Sequence, residues 1–192
     1  RFGQRISIRK PRTVKASCIA QQLHRFRAAE LNPYAGEMND GDHINETESV
    51  GAVADAVVSV RVAADPGEVW AELCDARALQ RWFWPTTFET VVESDPVVGG
   101  AWSIRSAPAD MGVAGRYLVV DRPRFIRMSW VWDGEAEATT VTIALEPGGQ
   151  ASAASRDTVV TVRHSGHLSE AGRVNHEQGW HDCLARLVAR YR

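Results

Sequence analysis

Apolar and polar residues alternate over much of residues 53–165, and this alternation predicts a domain rich in β-strands. Valines alternate with Ser59 and Arg61 at residues 58–62. In residues 125–132 every second residue is apolar, and the last two of these are Trp130 and Trp132. A period of two is the pattern of a strand that buries one face. We predict strands near residues 58–62, 88–93, 102–105, 115–120, 125–132, 141–145 and 160–164.

Three segments carry helical signals instead. Asp65 and Pro66 are typical of a helix start, with Asp65 as the N-cap, and Glu68 stands where a capping box places it. A second short helix is predicted at residues 75–81. A long helix from about residue 170 to 191 has apolar residues at helical spacing, namely Trp180, Cys183, Leu184, Leu187, Val188 and Tyr191.

The order of these elements predicts an α+β domain. One strand and two short helices precede a series of antiparallel strands, and a long helix ends the chain. We predict a helix-grip fold, in which a curved sheet of six to seven strands wraps around the C-terminal helix. Gly179 inside that helix costs up to about 1 kcal/mol relative to alanine. A close approach of another backbone would explain its presence.

The charge distribution divides the chain into two unlike parts. Residues 1–37 hold eight basic and two acidic side chains, whereas residues 38–192 hold 14 basic and 22 acidic ones. The acidic part lacks the clustered positive charge that binds nucleic acid, so no nucleic-acid partner is expected. No apolar run approaches the roughly 20 residues that cross a bilayer, so no membrane role is expected. The three scattered cysteines favour a reducing, cytoplasmic setting.

Residues 1–52 are predicted to lie outside the domain, which we place at residues 53–192. The first methionine is Met38, and the favoured interpretation is that residues 1–37 are upstream read-through. An Arg-rich targeting peptide and a genuine functional extension stay open as alternatives. Residues 32–52, rich in Gly, Asn, Asp and Glu, are typical of a flexible link.

Six short motifs occur in order along residues 54–190, and together they carry a resemblance that none of them carries alone. They are Asp65-Pro66-x-x-Val69-Trp70, Arg81-Trp82-Phe83-x-Pro85, Gly99-Gly100-x-Trp102, Trp130-x-Trp132, His164-Ser165-Gly166 and His176-x-x-Gly179-Trp180. The domain resembles the family of proteins similar to the C-terminal domain of the activator of Hsp-90 ATPase. That family lies in the START-like (SRPBCC) helix-grip superfamily, which also contains polyketide cyclases and lipid carriers.

The resemblance implies a helix-grip fold and an internal cavity, but no particular reaction. Trp84 departs from the family pattern, which has a small residue before the proline. We expect this indole to narrow the mouth of the cavity, so the shape of the cavity is not carried over from relatives.

Tryptophans are the candidate walls of that cavity. Trp70 and Trp82 are interpreted mainly as core residues, each burying about 150–250 Å². The positions of Trp102, Trp130 and Trp180 predict that they converge between the sheet and the last helix. Large flat rings fill such a space poorly, and apolar walls with few polar groups are typical of ligand cavities.

His164 and His176 are the candidate polar groups of the same cavity. His164 occupies an inward position of the last predicted strand, and His176 lies one helical turn before Trp180. In a structural interpretation, the backbone or Ser165 and Glu177 satisfy both imidazoles, which then anchor the helix to the strand. In two functional interpretations they orient a ligand or form a general acid–base pair.

Other catalytic and metal-binding patterns are not found. A triad of Ser165, His164 and Glu177 lacks the G-x-S-x-G elbow, and neighbouring residues on a strand point to opposite faces. His164 and His167 straddle a strand end, and His176 and His181 are five residues apart, so no metal is expected. No glycine-rich phosphate loop is present, and no cofactor is expected.

We therefore predict a non-enzymatic protein that binds a small hydrophobic or aromatic molecule as a carrier, sensor or sequestering agent. A cyclase-like or hydratase-like enzyme with the same cavity is the alternative. A co-regulator of the Hsp-90 chaperone is disfavoured, because residues 1–52 are too short and polar to form the second domain of the usual activator. A homodimer is left open. The predicted ligand-binding residues are Trp82, Trp102, Met128, Trp130, His164, His176 and Trp180.

Overall fold

The computed structural model describes residues 53–149 and 156–192, and the predictions made for residues 1–52 lie outside this part of the chain. The described residues form seven strands and three α-helices, in the order predicted from the sequence. The strands are β1 (Ala56–Val62), β2 (Val91–Ser94), β3 (Ala101–Ser106), β4 (Met111–Asp121), β5 (Phe125–Trp132), β6 (Thr139–Pro147) and β7 (Thr158–Ser165). The helices are α1 (Pro66–Cys74), α2 (Ala76–Trp82) and α3 (Glu170–Ala189).

All seven strands join one antiparallel sheet in the order β1-β7-β6-β5-β4-β3-β2. The predicted α+β helix-grip fold is therefore confirmed. The first strand pairs along its full length with the last strand in sequence, with Val60 opposite Val160. The β4–β5 pairing shifts register between Tyr117 and Val119. Such an irregularity increases the local twist of a sheet.

The two short helices cross from β1 to β2 over one end of the sheet. The backbone N–H of Asp65 donates to the Glu68 carboxylate at 3.2 Å, as the predicted capping box requires. Asp75 caps α2 by accepting from the Ala78 N–H at 2.8 Å. Trp82 then ties the two helices together, because its indole N–H donates to the Glu72 carbonyl at 3.2 Å.

Helix α3 packs across the sheet and buries the stripe that the sequence predicts. Trp180, Cys183, Leu184 and Leu187 are buried on its inner face. Its N-cap is Ser169, whose hydroxyl accepts from the Gly172 N–H at 3.1 Å. No helix in the described part of the chain combines the length and apolarity needed to cross a membrane.

Two details of the predicted elements are wrong. Residues 86–88 form a 3₁₀ turn, so β2 begins only at Val91. Pro85 starts that turn, and Glu89 ends it in the left-handed conformation at φ 47°. Gly179 does not mark a close approach of another backbone, since a Cβ placed there would meet nothing within 4 Å.

Candidate functional site

A small cavity lies between the sheet, the helices α1 and α2, and the inner face of α3. Its volume is about 30 Å³, which is close to the space that one water molecule occupies in the liquid. Ligand pockets are typically about 300–1,000 Å³. The space predicted from the sequence is thus nearly closed in this conformation. The lining residues are mostly apolar and comprise Leu73, Leu79, Phe83, Val92, Glu93, Trp102, Ile104, Tyr117, Met128, Trp130, Ile143 and Trp180.

Aromatic rings fill most of this interior, with Trp130 at their centre. Its ring centroid lies 4.9 Å from that of Trp102, 5.3 Å from that of Trp180 and 6.2 Å from that of Phe83. The interplanar angles of these three pairs are between 41° and 56°. Tilted rings at these distances attract one another beyond their burial alone. The predicted convergence of the three indoles is therefore present, with the Trp130 ring in contact with the other two.

Two of these indoles have unsatisfied donors. The Nε1 atoms of Trp102 and Trp130 are buried and have no hydrogen-bond partner among the described residues. A buried donor without an acceptor costs about 1–3 kcal/mol. Both residues line the cavity. The cavity is therefore bordered by two side chains that would gain from a hydrogen-bond acceptor.

The position of Trp102 depends on a glycine across the sheet. Gly115 pairs directly with Trp102 in the β3–β4 ladder. A Cβ on Gly115 would lie 1.9 Å from the Ser129 carbonyl oxygen and 2.9 Å from the Trp102 Nε1 atom. Only glycine allows the β5 backbone and this indole to approach so closely.

A cluster of imidazoles and indoles lies beside the cavity, with His164 as its most buried member. His164 has no exposed surface and sits between β1 and β6. Its Nδ1 accepts from the Trp180 indole N–H at 3.2 Å, which places the proton on Nε2. The Nε2–H then donates to the Thr139 hydroxyl at 2.7 Å, and that hydroxyl donates to the Trp130 carbonyl at 3.2 Å.

His176 is held in a similar way from α3. Its Nδ1–H donates to the Gly172 carbonyl at 2.8 Å, one turn earlier in the helix. Its Nε2 accepts from the Trp132 indole N–H at 2.9 Å. Both imidazoles are thus fully hydrogen-bonded. They join α3 to β5 and β7, as the structural interpretation of the sequence describes, although through partners other than Ser165 and Glu177.

His167 completes the cluster because the chain reverses at Gly166. Gly166 adopts φ 88°, which disfavours residues with a side chain. This turn folds His167 back, so that its Nε2–H donates to the His164 carbonyl at 3.0 Å. The His167 ring lies 4.7 Å from the His164 ring and 4.8 Å from the His176 ring, centroid to centroid.

Burial disfavours the charged form of all three imidazoles. Burial, reinforced by the neighbouring histidines, lowers the pKa of His164 to about 2. Burial also lowers the pKa of His176 to about 4, against the opposing effect of its bond to the Gly172 carbonyl. The pKa of His167 is lowered for the same reason. With these lowered pKa values neither His164 nor His176 carries the extra proton of a general acid at pH 7. Both nitrogens of each ring also have hydrogen-bond partners, so the geometry favours a structural role over the acid–base role considered above.

The structure divides the predicted ligand-binding residues into two groups. Trp102, Met128, Trp130 and Trp180 line the cavity. Trp82 is buried between α1 and α2, whereas His164 and His176 lie in the adjoining cluster. Trp84, expected at the cavity mouth, is instead buried beside Trp132, with parallel rings and centroids 6.3 Å apart.

Several residues of the site were missed from the sequence. Trp132 shares the apolar face of its strand with Trp130, as the alternation predicts, but it was not predicted as a residue of the site. Thr139 could not have been predicted, because its contact with His164 depends on the β6–β7 register, in which Val141 is opposite His164. Phe83 belongs to the Arg81-Trp82-Phe83-x-Pro85 motif, yet only the packing at the end of α2 shows that it lines the cavity.

Comparison with known proteins adds family membership and confirms the fold. The model of the family described as "Activator of Hsp90 ATPase homolog 1-like protein" matches residues 63–191. No curated protein matches the sequence at a significant level.

Solved structures of proteins from bacteria and from a parasite share this architecture. Protein CV1439 from Chromobacterium violaceum is 25% identical with a TM-score of 0.60, over 71% of this chain and 96% of that one. CalU16 from Micromonospora echinospora is 24% identical with a TM-score of 0.55, over 69% and 73% of the two chains. PFC0360w, an HSP90 activator from Plasmodium falciparum, is 19% identical with a TM-score of 0.54, over 72% and 98%.

Proposed function

The chain belongs to the family of Activator of Hsp90 ATPase homolog 1-like proteins, and we propose that it binds a small, largely apolar molecule that carries a hydrogen-bond acceptor. One observation carries the proposal: the unsatisfied indole donors of Trp102 and Trp130 belong to residues that line the internal cavity. A carbonyl or ether oxygen between these rings would satisfy them, and the apolar remainder of the ligand would contact the surrounding aromatic and aliphatic side chains.

The donors explain why an acceptor is favoured over a pure hydrocarbon. A hydrogen bond inside a protein contributes about 0.5–1.5 kcal/mol net, and satisfying a buried orphan donor adds the recovered desolvation cost. The cavity lining includes no basic residue, and its one acidic residue, Glu93, directs its exposed carboxylate to the Ser103 hydroxyl. Aromatic ketones and related neutral oxygen compounds fit this lining better than fatty acids or organic phosphates do.

Ligand entry requires the cavity to open, and the wall formed by α1, α2 and β2 is the one that would move. Strand β2 contributes Val92 and Glu93 to the cavity wall, and the Glu93 side chain is exposed on the outer face of this strand. Strand β2 has four residues, and within the described residues it lies at the edge of the sheet and pairs only with β3. Short edge elements open at lower free energy than central strands. Met128 in the opposite wall is an unbranched side chain that adapts to different ligand shapes.

A calorimetric titration with matched ligands tests this proposal. Acetophenone and ethylbenzene have similar size, but only acetophenone offers a carbonyl oxygen. We expect acetophenone to bind roughly three- to tenfold more tightly, as one extra hydrogen bond implies. Trp130→Phe should reduce this preference, because only the Trp102 donor remains. Trp132→Phe, which changes an indole outside the cavity lining, should retain it. Absence of saturable binding by either compound, or by benzophenone and diphenylmethane as a larger pair, overturns the proposal.

A second candidate is contact with the Hsp90 chaperone, which the family match favours. An exposed apolar group near the β4 irregularity offers a docking surface, comprising Val97, Val98 and Leu118. The test is the ATPase rate of purified Hsp90 with and without this protein. Stimulation that Val98→Asp abolishes supports this candidate, and an unchanged rate at saturating protein rejects it.

A further inference from the structure

Three histidine side chains meet between the end of β7 and the second turn of α3, outside the residues that line the cavity. One ring nitrogen from each of His164, His167 and His176 can be chosen so that all three lie within 4.8 Å of one another. The ring centroids are 4.4, 4.7 and 4.8 Å apart. The sequence hides this arrangement, because the residues belong to a strand, a turn and a helix.

The hydrogen bonds determine which ring nitrogens keep a lone pair. Each imidazole donates one N–H to an oxygen: His164 to the Thr139 hydroxyl, His167 to the His164 carbonyl, and His176 to the Gly172 carbonyl. The lone pairs therefore reside on His164 Nδ1, His167 Nδ1 and His176 Nε2. Metal-binding histidines are oriented in the same way, with the second ring nitrogen donating to a carbonyl or other oxygen.

We propose that His164, His167 and His176 bind a divalent transition-metal ion such as Zn²⁺, Co²⁺, Ni²⁺ or Cu²⁺. Neutral imidazole nitrogen is a preferred ligand for these ions, whereas Mg²⁺ and Ca²⁺ select oxygen ligands. Three protein ligands leave a fourth position for water or another small ligand, as in many sites that are not purely structural. None of the three proposed ligands lines the cavity, although Trp180, which donates to His164, belongs to both regions.

Coordination requires a local rearrangement that the structure defines. Metal–nitrogen bonds of about 2.0–2.1 Å bring tetrahedral ligand atoms to within roughly 3.3 Å of one another, so the rings must turn inward. The metal also replaces two hydrogen bonds, those that the indoles of Trp180 and Trp132 donate to the lone pairs of His164 and His176.

The third lone pair gives the ion its point of entry. His167 is itself buried, with 8% of its surface exposed, and only its Nε2 has a hydrogen-bond partner among the described residues. The neighbouring His176 and Trp132 are half-buried. An ion can therefore bind His167 first and then take the place of the Trp132 indole. The Trp132 contact becomes the main competitor of the metal for His176.

The test titrates the full chain, free of any affinity tag and pre-treated with a chelator, with Co²⁺ and then Zn²⁺. We expect one ion per chain, a visible absorption spectrum typical of tetrahedral cobalt, and loss of that spectrum when Zn²⁺ is added. His167→Ala and His176→Asn should each weaken binding at least about tenfold, the lower bound seen for damaged metal sites. His181→Ala, an exposed histidine on the same helix, is the matched control and should leave binding unchanged.

The Trp132→Phe variant distinguishes a metal site from a hydrogen-bond network with a purely structural role. It removes the competing N–H, so the affinity for Co²⁺ should rise under the proposal. Circular dichroism of each variant checks that the fold is retained. The proposal is overturned if the folded wild-type chain takes up no ion at stoichiometric concentration. It is also overturned if binding persists unchanged in the folded His167→Ala and His176→Asn variants, which would place the ion on other residues.

Discussion

The two halves of the interior between α3 and the sheet use the same side chain in opposite ways. Next to β7, the indoles of Trp132 and Trp180 donate to imidazoles, and every donor of the cluster has an acceptor. Next to β3, the indoles of Trp102 and Trp130 have no described acceptor and border a cavity. The first half is a completed hydrogen-bond network. The second half contains two buried donors without an acceptor among the described residues.

The difference shows that tryptophan content alone does not mark a binding site. All four indoles lie in one aromatic assembly, and Trp102, Trp130 and Trp180 are almost equally buried. What separates them is the partner of the Nε1–H group. A buried imidazole supplies that partner on one side, and no residue in the described ranges supplies it on the other.

The largest expected effect comes from His164→Ala. This change leaves the Trp180 indole without its acceptor and empties a fully buried position, so unfolding should become easier by about 3–5 kcal/mol. Chemical denaturation measures the loss. The exposed His181→Ala is the control, and a cost for His164→Ala below 1 kcal/mol would contradict the network.

Low pH should reduce the free energy of unfolding through the histidines next to β7. The folded pKa values of His164 and His176 lie well below the ordinary value of 6.5, so the unfolded chain binds protons that the folded chain does not. Stability is therefore complete above about pH 6.5 and falls as the pH decreases towards 4. Each neutral histidine contributes a slope of about 1.4 kcal/mol per pH unit. Denaturation with a chelator present should show a shallower slope for His176→Gln, and an equal slope would reject the assignment.

Phenylalanine replacements compare the two kinds of indole directly. Trp180→Phe leaves His164 Nδ1 without a donor, whereas Trp130→Phe removes a donor that has no acceptor. Because both lose similar volume, Trp180→Phe should cost about 1–2 kcal/mol more. Thermal melting of the two variants measures this difference. Equal costs would mean that the Trp180–His164 bond adds nothing to stability.

The smallest effect is expected at Gly179, on the face of α3 where a Cβ meets no neighbour. Gly179→Ala should stabilise the protein by up to about 1 kcal/mol, because it restores helix propensity without a clash. Gly115→Ala is the opposite case, since its Cβ would collide with the Ser129 carbonyl. A destabilising Gly179→Ala would show that this helix needs flexibility at that turn.

The sequence predicted the fold better than the site for a physical reason. The period-two alternation and the helix signals at Asp65 are local features of the sequence. They can be recognised without knowing which residues come into contact in the folded chain. The hydrogen bond between Thr139 and His164 depends on strand register, and the place of His167 depends on the turn at Gly166. Whether an indole N–H finds a hydrogen-bond acceptor also depends on contacts between residues far apart in sequence, such as Trp132 and His176.

Cavity size was the hardest property to predict. Converging rings can enclose a space or fill it, and the outcome depends on tilt angles such as the 43° between Trp102 and Trp130. The residue types that favour a cavity are the same ones that pack a solid core. The sequence therefore identifies the residues that form the cavity walls, but it does not determine the distance between those walls.

The most direct test of the account is the indole N–H region of a nitrogen-15 correlation spectrum during titration with acetophenone. The account predicts saturable shifts of the Trp102 and Trp130 resonances towards hydrogen-bonded values, with a common affinity. The Trp132 and Trp180 protons, already bonded to imidazoles, should keep slow exchange with solvent throughout. Unchanged Trp102 and Trp130 signals at saturating ligand would contradict the claim that this half of the interior is a binding site.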